Sequence, residues 1–403
     1  MPTRSKSFWH NALIGEPSLT EDWRQGGFGI YIHWPFCEAK CPYCDFNSHV
    51  SRSIDQAAWK IAYLAELKRC AVDTRGRTVT SVFFGGGTPS LMNPDTVAAV
   101  IAEIKKLWPT ANDLEITLEA NPGSVEAGRF KAYRDGGVSR ISMGIQALND
   151  IDLKRLGRIH SVNEALAAFD IARNTFERVS FDLIYARQNQ TLEEWKAELN
   201  QALTLSIDHL SLYQLTVEDG TAFGDRYAVG KLRGLPDDDL GADMFDLTQD
   251  VCGAAGMPAY EVSNHARDGA QSRHNLIYWR YGDYLGIGPG AHGRLTVNGR
   301  RHATTCYSNP KRWLDSVEEG AAEQTREALT TEDEATEFLL MGLRLRAGID
   351  ISRYAALAQN PLDPAAVAHL TDIGMIEVSK SILTVTDQGF RVLNSVISEL
   401  LSD

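Results

Sequence analysis

No run of eighteen consecutive apolar residues occurs in this 403-residue chain, which excludes a transmembrane helix of ordinary length. The first twenty residues carry a few basic side chains but no apolar stretch, so no secretory signal is expected. Positive charge is in deficit. Forty Lys and Arg against 53 Asp and Glu leave a net charge of −13, which argues against a nucleic-acid partner and against an anionic membrane surface. Cysteine is scarce, with six in all, and no second Cys-x2-Cys hook is present to complete a two-hook zinc site. Cys70, Cys252 and Cys306 lie far apart in sequence and read as unpaired thiols of a reducing compartment. These absences describe a cytoplasmic protein, with a peripheral seat at a membrane as the alternative.

What is present is an ordinary globular composition, 43% hydrophobic and 23% charged, long enough for roughly two to three domains and a large core. The other three cysteines, Cys37, Cys41 and Cys44, stand in one short stretch with C-x3-C-x2-C spacing, directly after an apolar run. Three thiolates this close can hold three corners of a cubane cluster and leave one iron open. A structural zinc site of the Cys3His type, using His33, is the competing reading.

Short apolar runs and amphipathic segments then alternate. Phe28–Trp34, Ser81–Phe84, Leu114–Leu118, Val138–Met143, Val179–Ile184 and Ile207–Tyr213 read as strands. Asp55–Cys70, Pro94–Lys106, Ser124–Arg134, Val162–Asn174 and Leu192–Leu205 read as helices. This order predicts an α/β fold with a parallel sheet and right-handed crossovers, a partial (β/α)6 TIM-like barrel. Residues 1–26 read as a loose leader, 27–270 as the barrel and 271–403 as a second unit. Glu218–Leu235 reads as an irregular excursion, Pro236–Ala254 as a helix, Pro258–Val262 as a short strand and His274–Arg294 as a structured loop region. Lys311–Glu319, Glu332–Arg346, Ile351–Gln359 and Ala365–Ile373 read as helices. A small hairpin over Gly374–Thr386 and a last helix over Asp387–Leu401 give the second unit a mainly helical, winged-helix-like character. That label implies no DNA binding.

Polar groups recur where the predicted strands end. Gly85-Gly-Gly-Thr-Pro-Ser90 follows the second strand, where glycines let a backbone approach a ligand and offer amides to it. Glu119 closes the third strand, Gln146 follows the fourth, and Asp182 interrupts the fifth, where a carboxylate is costly unless partnered. Arg158 could meet a carboxylate bidentately or make a surface ion pair. In a (β/α) barrel the strand ends converge on one rim, where active sites sit.

The cysteine spacing, with Tyr43 just before the last cysteine, resembles the cluster loop of radical S-adenosylmethionine (SAM) proteins. From Tyr31 onward the chain resembles the family of oxygen-independent coproporphyrinogen III oxidase (HemN-like) and its heme-chaperone relatives of the HemW type. The matching stretches run from Tyr31–Ser48 through Phe181–Tyr185, with later ones at Leu212–Thr221, Tyr260–Asn264 and His274–Gly293. The resemblance implies a [4Fe-4S] cluster on Cys37, Cys41 and Cys44. It implies SAM on Tyr31, Gly86, Gly87, Thr88, Glu119, Gln146, Arg158 and Asp182, and a HemN-like C-terminal domain.

Two departures point to the chaperone branch. The oxidase carries a further cysteine two residues past the third, where this chain has Phe46, and it has a longer segment before the motif. His274-Asn275-Leu-Ile-Tyr278-Trp279 resembles the heme-handling motif of that branch, and implies a heme site at His274, Asn275, Tyr278 and Trp279. An imidazole is a natural axial ligand and flanking aromatics can pack on a porphyrin. Read from the residues alone, His274 could equally be a hydrogen-bonding core histidine, with His265, His292, His302 and Cys306 as rival ligands. The resemblance implies heme delivery to acceptor proteins, respiratory membrane enzymes among them, with a homodimer among the expected forms. Competing readings are coproporphyrinogen III oxidation and another radical SAM oxidoreductase or methyltransferase.

Overall fold

The computed structural model describes residues 19–401, apart from residues 52, 123–126, 207 and 321. Its framework is one eleven-stranded sheet. Strands β1 (Phe28–Trp34), β2 (Val79–Gly86), β3 (Thr110–Ala120), β4 (Arg140–Gln146), β5 (Arg178–Tyr185) and β6 (His209–Gln214) lie side by side in chain order, all parallel. Each crossover carries a helix: α1 (Gln56–Asp73), α2 (Pro94–Leu107), α3 (Ala127–Asp135), α4 (Val162–Thr175) and α5 (Leu192–Leu205). Local sequence fixes where these helices start. Asp55 caps α1, Asn93 with Pro94 opens α2, and capping boxes Ser161/Glu164 and Thr191/Glu194 open α4 and α5. The helix expected from Ser124 is present from Ala127, and Ser124 lies outside the described residues, as does Ile207.

β1 and β2 are buried on nearly every residue, as expected of parallel strands covered on both faces. The main core gathers around them, with Trp34, Phe84, Phe181 and Trp195 fully enclosed. The sheet is open, not closed, and it extends beyond six units. α6 (Ala222–Ala228) and α7 (Asp238–Ala254) follow β6, and β7 (Asn264–Ala266) pairs antiparallel with β6 at one edge. α8 (Arg273–Trp279) leads into β8 (Asp283–Ile287), which adds parallel to the outer side of β1. β9 (His292–Val297), β10 (Arg300–Cys306) and, after helix α9 (Pro310–Glu318), β11 (Glu323–Ala328) continue antiparallel to the other edge.

Several expectations are corrected. His274–Arg294 is not a loop region: it forms α8, β8 and the start of β9. The excursion Glu218–Leu235 contains α6, capped by Thr221. The strand expected at Pro258–Val262 is reduced to isolated bridges at Ala259 and Glu261, and the ladder strand is β7. Of the loose leader, residues 1–18 lie outside the described residues, but Leu19–Gln25 form a 3-10 helix. It is held by Asp22, which accepts two 2.8 Å bonds from Arg353, and by Trp23, under the Arg77 guanidinium. Ion pairs to partners 331 residues away leave no periodic signature in the segment itself.

A second core contains Tyr281, Phe338, Leu343, Leu370, Leu383 and Val396. It is built from helices Thr331–Gly342, Ile351–Ala358 and Pro364–Asp372 with a three-stranded sheet of Ile349–Asp350, Ile382–Val385 and Ile376–Ser379. The expected final helix is broken at Val392 into Asp387–Arg391 and Leu393–Leu400. Among the described residues no helix is long and apolar enough to cross a membrane.

Candidate functional site

β1 runs into the cysteine loop. Phe36–Cys37 and His49–Val50 pair in parallel and close the base of that loop. The Gly87 and Thr88 amides donate to the carbonyls of Trp34 and Phe36 at 2.7 and 2.8 Å, tying the glycine turn after β2 to the loop. No other residues fit this turn. Gly86 has φ +107°, and a Cβ there would sit 2.6 Å from the His33 ring; one on Gly87 would sit 2.6 Å from the Phe36 carbonyl oxygen.

The parallel strands end on one cavity. Cys37, Cys41 and Cys44 line it together with Gly86, Gly87, Thr88, Glu119, Gln146, Arg158 and Asp182. These residues span 146 positions of sequence, and the right-handed crossovers bring them to a single rim. Gln146 adopts φ +76°, a left-handed backbone uncommon outside glycine. Its side-chain amide lies over Gly144, where a Cβ would come within 2.8 Å of Nε2. Arg158 donates from Nη1 to the Cys41 sulfur at 3.2 Å and from Nη2 to the Gly144 carbonyl at 2.9 Å.

Two carboxylates face this space. Burial, reinforced by repulsion from Asp182, pushes Glu119 up to about 8. Burial pushes Asp182 up to about 6, and the hydroxyls of Ser211 and Ser142 and the Arg140 charge limit the rise. Both carboxylates are placed to gain from a cationic ligand. Burial also raises the Cys37 and Cys44 thiols, against which the Thr88 hydroxyl (at Cys37) and the Phe46 amide (at Cys44) act.

Tyr31 is not among the side chains lining the cavity; it sits one step inside. Burial keeps His33 neutral, and its Nε2 lies 2.9 Å from the Asn47 carbonyl, which can only accept. Nε2 therefore carries the proton, and Nδ1 accepts from the Tyr31 hydroxyl at 3.1 Å. With both nitrogens engaged, His33 is no fourth zinc ligand, and the Cys3His alternative fails on that ground.

His274 lies at the other end of β1 and β2, 1% exposed and stacked on Phe83 at 5.1 Å. Burial lowers it to about 3, so the ring is neutral. Nδ1 is 2.7 Å from the Ser81 hydroxyl and Nε2 is 2.7 Å from the Tyr278 hydroxyl. Both in-plane positions are taken, so iron could bind only after one of these bonds broke. Asn275 donates to the Tyr260 hydroxyl at 3.4 Å, Tyr278 packs edge-on against Tyr284, and Trp279 lies beside the Arg344 guanidinium. The four motif residues thus pack helix α8 against the sheet and stay outside the cavity lining, with the His274 ring stacked at 6.3 Å on Tyr31 just beneath it.

The cavity also takes in Tyr43, Ser48, Asn121 and Ser142, to which sequence reasoning assigned no binding role. For Ser142 the strand period was the available signal, since it stands in register with Glu119 on the neighbouring strand. The donor set fits a cubane cluster. All three thiols are free of disulfides. Cys37, Cys41 and Cys44 line one cavity, three donors for a cubane that takes four ligands. Two carboxylates and one guanidinium in the same space fit a cation that also bears an amine, hydroxyls and a carboxylate.

Comparison with known proteins agrees with this chemistry. Residues 31–202 match the radical SAM superfamily and residues 329–392 match the HemN C-terminal domain. The chain is 39% identical over 384 residues to the heme chaperone HemW of Haemophilus influenzae, covering 93% of this chain and 98% of that protein. It is 37% identical over 380 residues to the HemW of Escherichia coli, with 93% and 98% covered. It is 38% identical over 385 residues to the mitochondrial radical S-adenosyl methionine domain-containing protein 1 of Bos taurus, with 93% and 87% covered. Coproporphyrinogen III oxidase (HemN) from Escherichia coli shares the fold, with a TM-score of 0.77 at 22% identity over 96% of this chain and 94% of that one. The chain belongs to the radical SAM superfamily, and within it to the family of the HemW heme chaperones.

Proposed function

We propose that this protein is a heme chaperone of the radical SAM fold, which binds heme and passes it to acceptor proteins, respiratory membrane enzymes being the acceptors we favour. Cys37, Cys41 and Cys44 hold a [4Fe-4S] cluster. Gly86, Gly87, Thr88, Glu119, Gln146, Arg158 and Asp182 hold SAM, with Tyr31 behind them bracing His33. When bound, the cluster supplies one iron without a protein ligand, open to the amine and carboxylate of SAM. The chain's own residues orient that ligand: the glycine turn offers backbone amides, Arg158 a guanidinium, and Glu119 and Asp182 acceptors for amine and ribose hydroxyls. We place the protein in the cytoplasm, where an oxygen-labile centre is protected, and take a unit beginning near residue 329 as its C-terminal domain.

What carries the reading is the convergence of these residues on one cavity in a chain 39% identical, over most of its length, to a protein named a heme chaperone. Phe46, at the place where the oxidase resemblance expects a further cysteine, separates it from porphyrinogen oxidation. The test has two arms. Anaerobically purified protein should bind hemin and transfer it to an apo-acceptor. Incubated with coproporphyrinogen III, SAM and reductant, it should form no protoporphyrinogen. Product formation would assign the protein to the oxidase instead.

A further inference from the structure

Among the described residues three arginines are at most 3% exposed: Arg140, Arg187 and Arg301. Arg187 pairs with Asp152 and Glu198, and Arg301 lies 3.5 Å from Asp283. Arg140 differs. Among the described residues no carboxylate stands within ion-pair distance of its guanidinium; its partner is the Ser180 hydroxyl, at 2.7 Å. A buried cation is costly unless something answers its charge, and here the answer lies along two neighbouring strands.

Ser142 on β4 and Ser180 on β5 are register partners, as are Glu119 on β3 and Ser142. Arg140 stands two residues before Ser142, and Asp182 two residues after Ser180. All five therefore share one face of the sheet, the face that leads to the cavity. A guanidinium can only donate, so Ser180 Oγ accepts from Arg140, and its own hydrogen is left for Ser142 Oγ, 3.1 Å away. The Ser142 hydroxyl in turn donates to Asp182 Oδ1 at 3.5 Å. The bonds run one way, from a cation beneath the cavity to a carboxylate that lines it, and each donor is polarised by the one before it. Burial raises both Glu119 and Asp182, and the Arg140 charge works against both rises.

We propose that Arg140 is a positioning residue of the ligand site: through Ser180 and Ser142 it holds Asp182 as an oriented, anionic acceptor for ribose hydroxyls. The proposal rests on the SAM-site reading above and deepens it. The other groups that face Asp182 are Glu119 on β3, Arg158 from the β4–α4 connection, and Ser211 and Tyr213 on β6.

The experiment compares wild type, Arg140→Met, Arg140→Lys and Ser180→Ala as full chains, cluster-reconstituted under anaerobic conditions, with circular dichroism and iron content as controls. Equilibrium binding is measured from pH 5 to 8 for SAM and for its 2′,3′-dideoxy analogue. Arg140→Met should lose about tenfold in affinity for SAM and little for the analogue. Its affinity for SAM should also rise at a pH about one unit higher than in wild type, because the carboxyls it leaves behind are harder to ionise. Arg140→Lys, which keeps the charge, should restore the wild-type pH profile. Ser180→Ala should lose about threefold in affinity for SAM alone. A folded, iron-loaded Arg140→Met with the wild-type affinity and pH profile overturns the proposal. So does an equal loss for both ligands with the profile unmoved, which would make Arg140 a packing residue. Where Arg140→Met does not fold, Ser180→Ala decides, and an unchanged affinity for SAM there overturns the proposal. A wild type that fails to bind SAM overturns the site reading itself, and this proposal with it.

Discussion

The Arg158 guanidinium donates to the Cys41 sulfur at 3.2 Å, across 117 residues of sequence. One side chain from the β4–α4 connection thereby touches a cysteine of the C-x3-C-x2-C loop and borders the space where the strand ends meet. A planar fork suits a carboxylate there in a way an ammonium does not. Arg158→Lys should weaken SAM binding to cluster-loaded protein about tenfold, and Arg158→Gln more. Equilibrium binding measures this; an affinity unchanged in both would confine Arg158 to a structural role.

Glu119 and Asp182 predict a proton coupled to ligand binding. Without ligand, Glu119 titrates at about 8 and Asp182 at about 6, both above their ordinary values. A cation in the cavity favours the ionised forms and drives a proton off Glu119 near neutral pH. Affinity for SAM should therefore rise as pH goes from 6 to 8. Calorimetry in two buffers of different ionisation enthalpy should show proton release. An affinity flat across that range would mean that neither group pairs with the ligand.

The same shift has a cost for the ligand-free fold. A carboxyl whose folded value of about 8 exceeds its ordinary 4.5 destabilises the fold increasingly as pH rises through that interval. Glu119→Gln should stabilise ligand-free protein at pH 8, on the order of 1–2 kcal/mol once its opening to the cavity is allowed for. The gain should vanish toward pH 4.5, and SAM binding should fall. Thermal unfolding at both pH values reads the first two effects.

Gly86→Ala should be more damaging than its size suggests. It meets the His33 ring at 2.6 Å and has φ +107°, whereas Gly76, with φ +80°, has nothing within 4 Å. Gly76→Ala should cost about 1 kcal/mol from backbone strain alone, and Gly86→Ala about 1–3 kcal/mol more through displacement of His33. Iron content after reconstitution should fall only in the second. Equal costs would show that the His33 contact yields freely.

Arg187, 3% exposed, meets Asp152 at 2.9 Å and Glu198 at 2.5 Å. Glu198 also accepts from the Leu148 amide at 2.6 Å. Arg187→Ala leaves two carboxylates without their buried cation and should cost about 3–5 kcal/mol. The midpoint of denaturant unfolding gives the number; a loss under 1 kcal/mol would mean that water reaches the pair.

The local signals were strong where side chain and backbone act over a few residues. β1 and α5 fall where periodicity placed them, and caps such as Asn93 and Thr191 are written into adjacent residues. The C-x3-C-x2-C loop and the polar residues at successive strand ends could be read as one rim, because a (β/α) crossover has one hand. Long-range partners could not be read this way. β10 and β11 are short, polar strands whose ladder is paid for by neighbours already in place. The Asp22–Arg353 pair and the bond from the Asn47 side chain to the Ser308 carbonyl join residues hundreds of positions apart.

The sequence by itself determined the three-cysteine loop, the glycine turn and the parallel order of the first six strands, since each depends on spacing, turn chemistry and hydrophobic period. Only the tertiary structure decided which imidazoles are free. His274 stands in a stretch that resembles a heme-handling motif, yet Ser81 and Tyr278 occupy both its nitrogens. His292, in no such motif, is exposed at its strand's start. A ring nitrogen's availability is set by what the fold packs around it, and that information is distributed over β2, α8 and β10, not carried by the histidine or its neighbours in sequence.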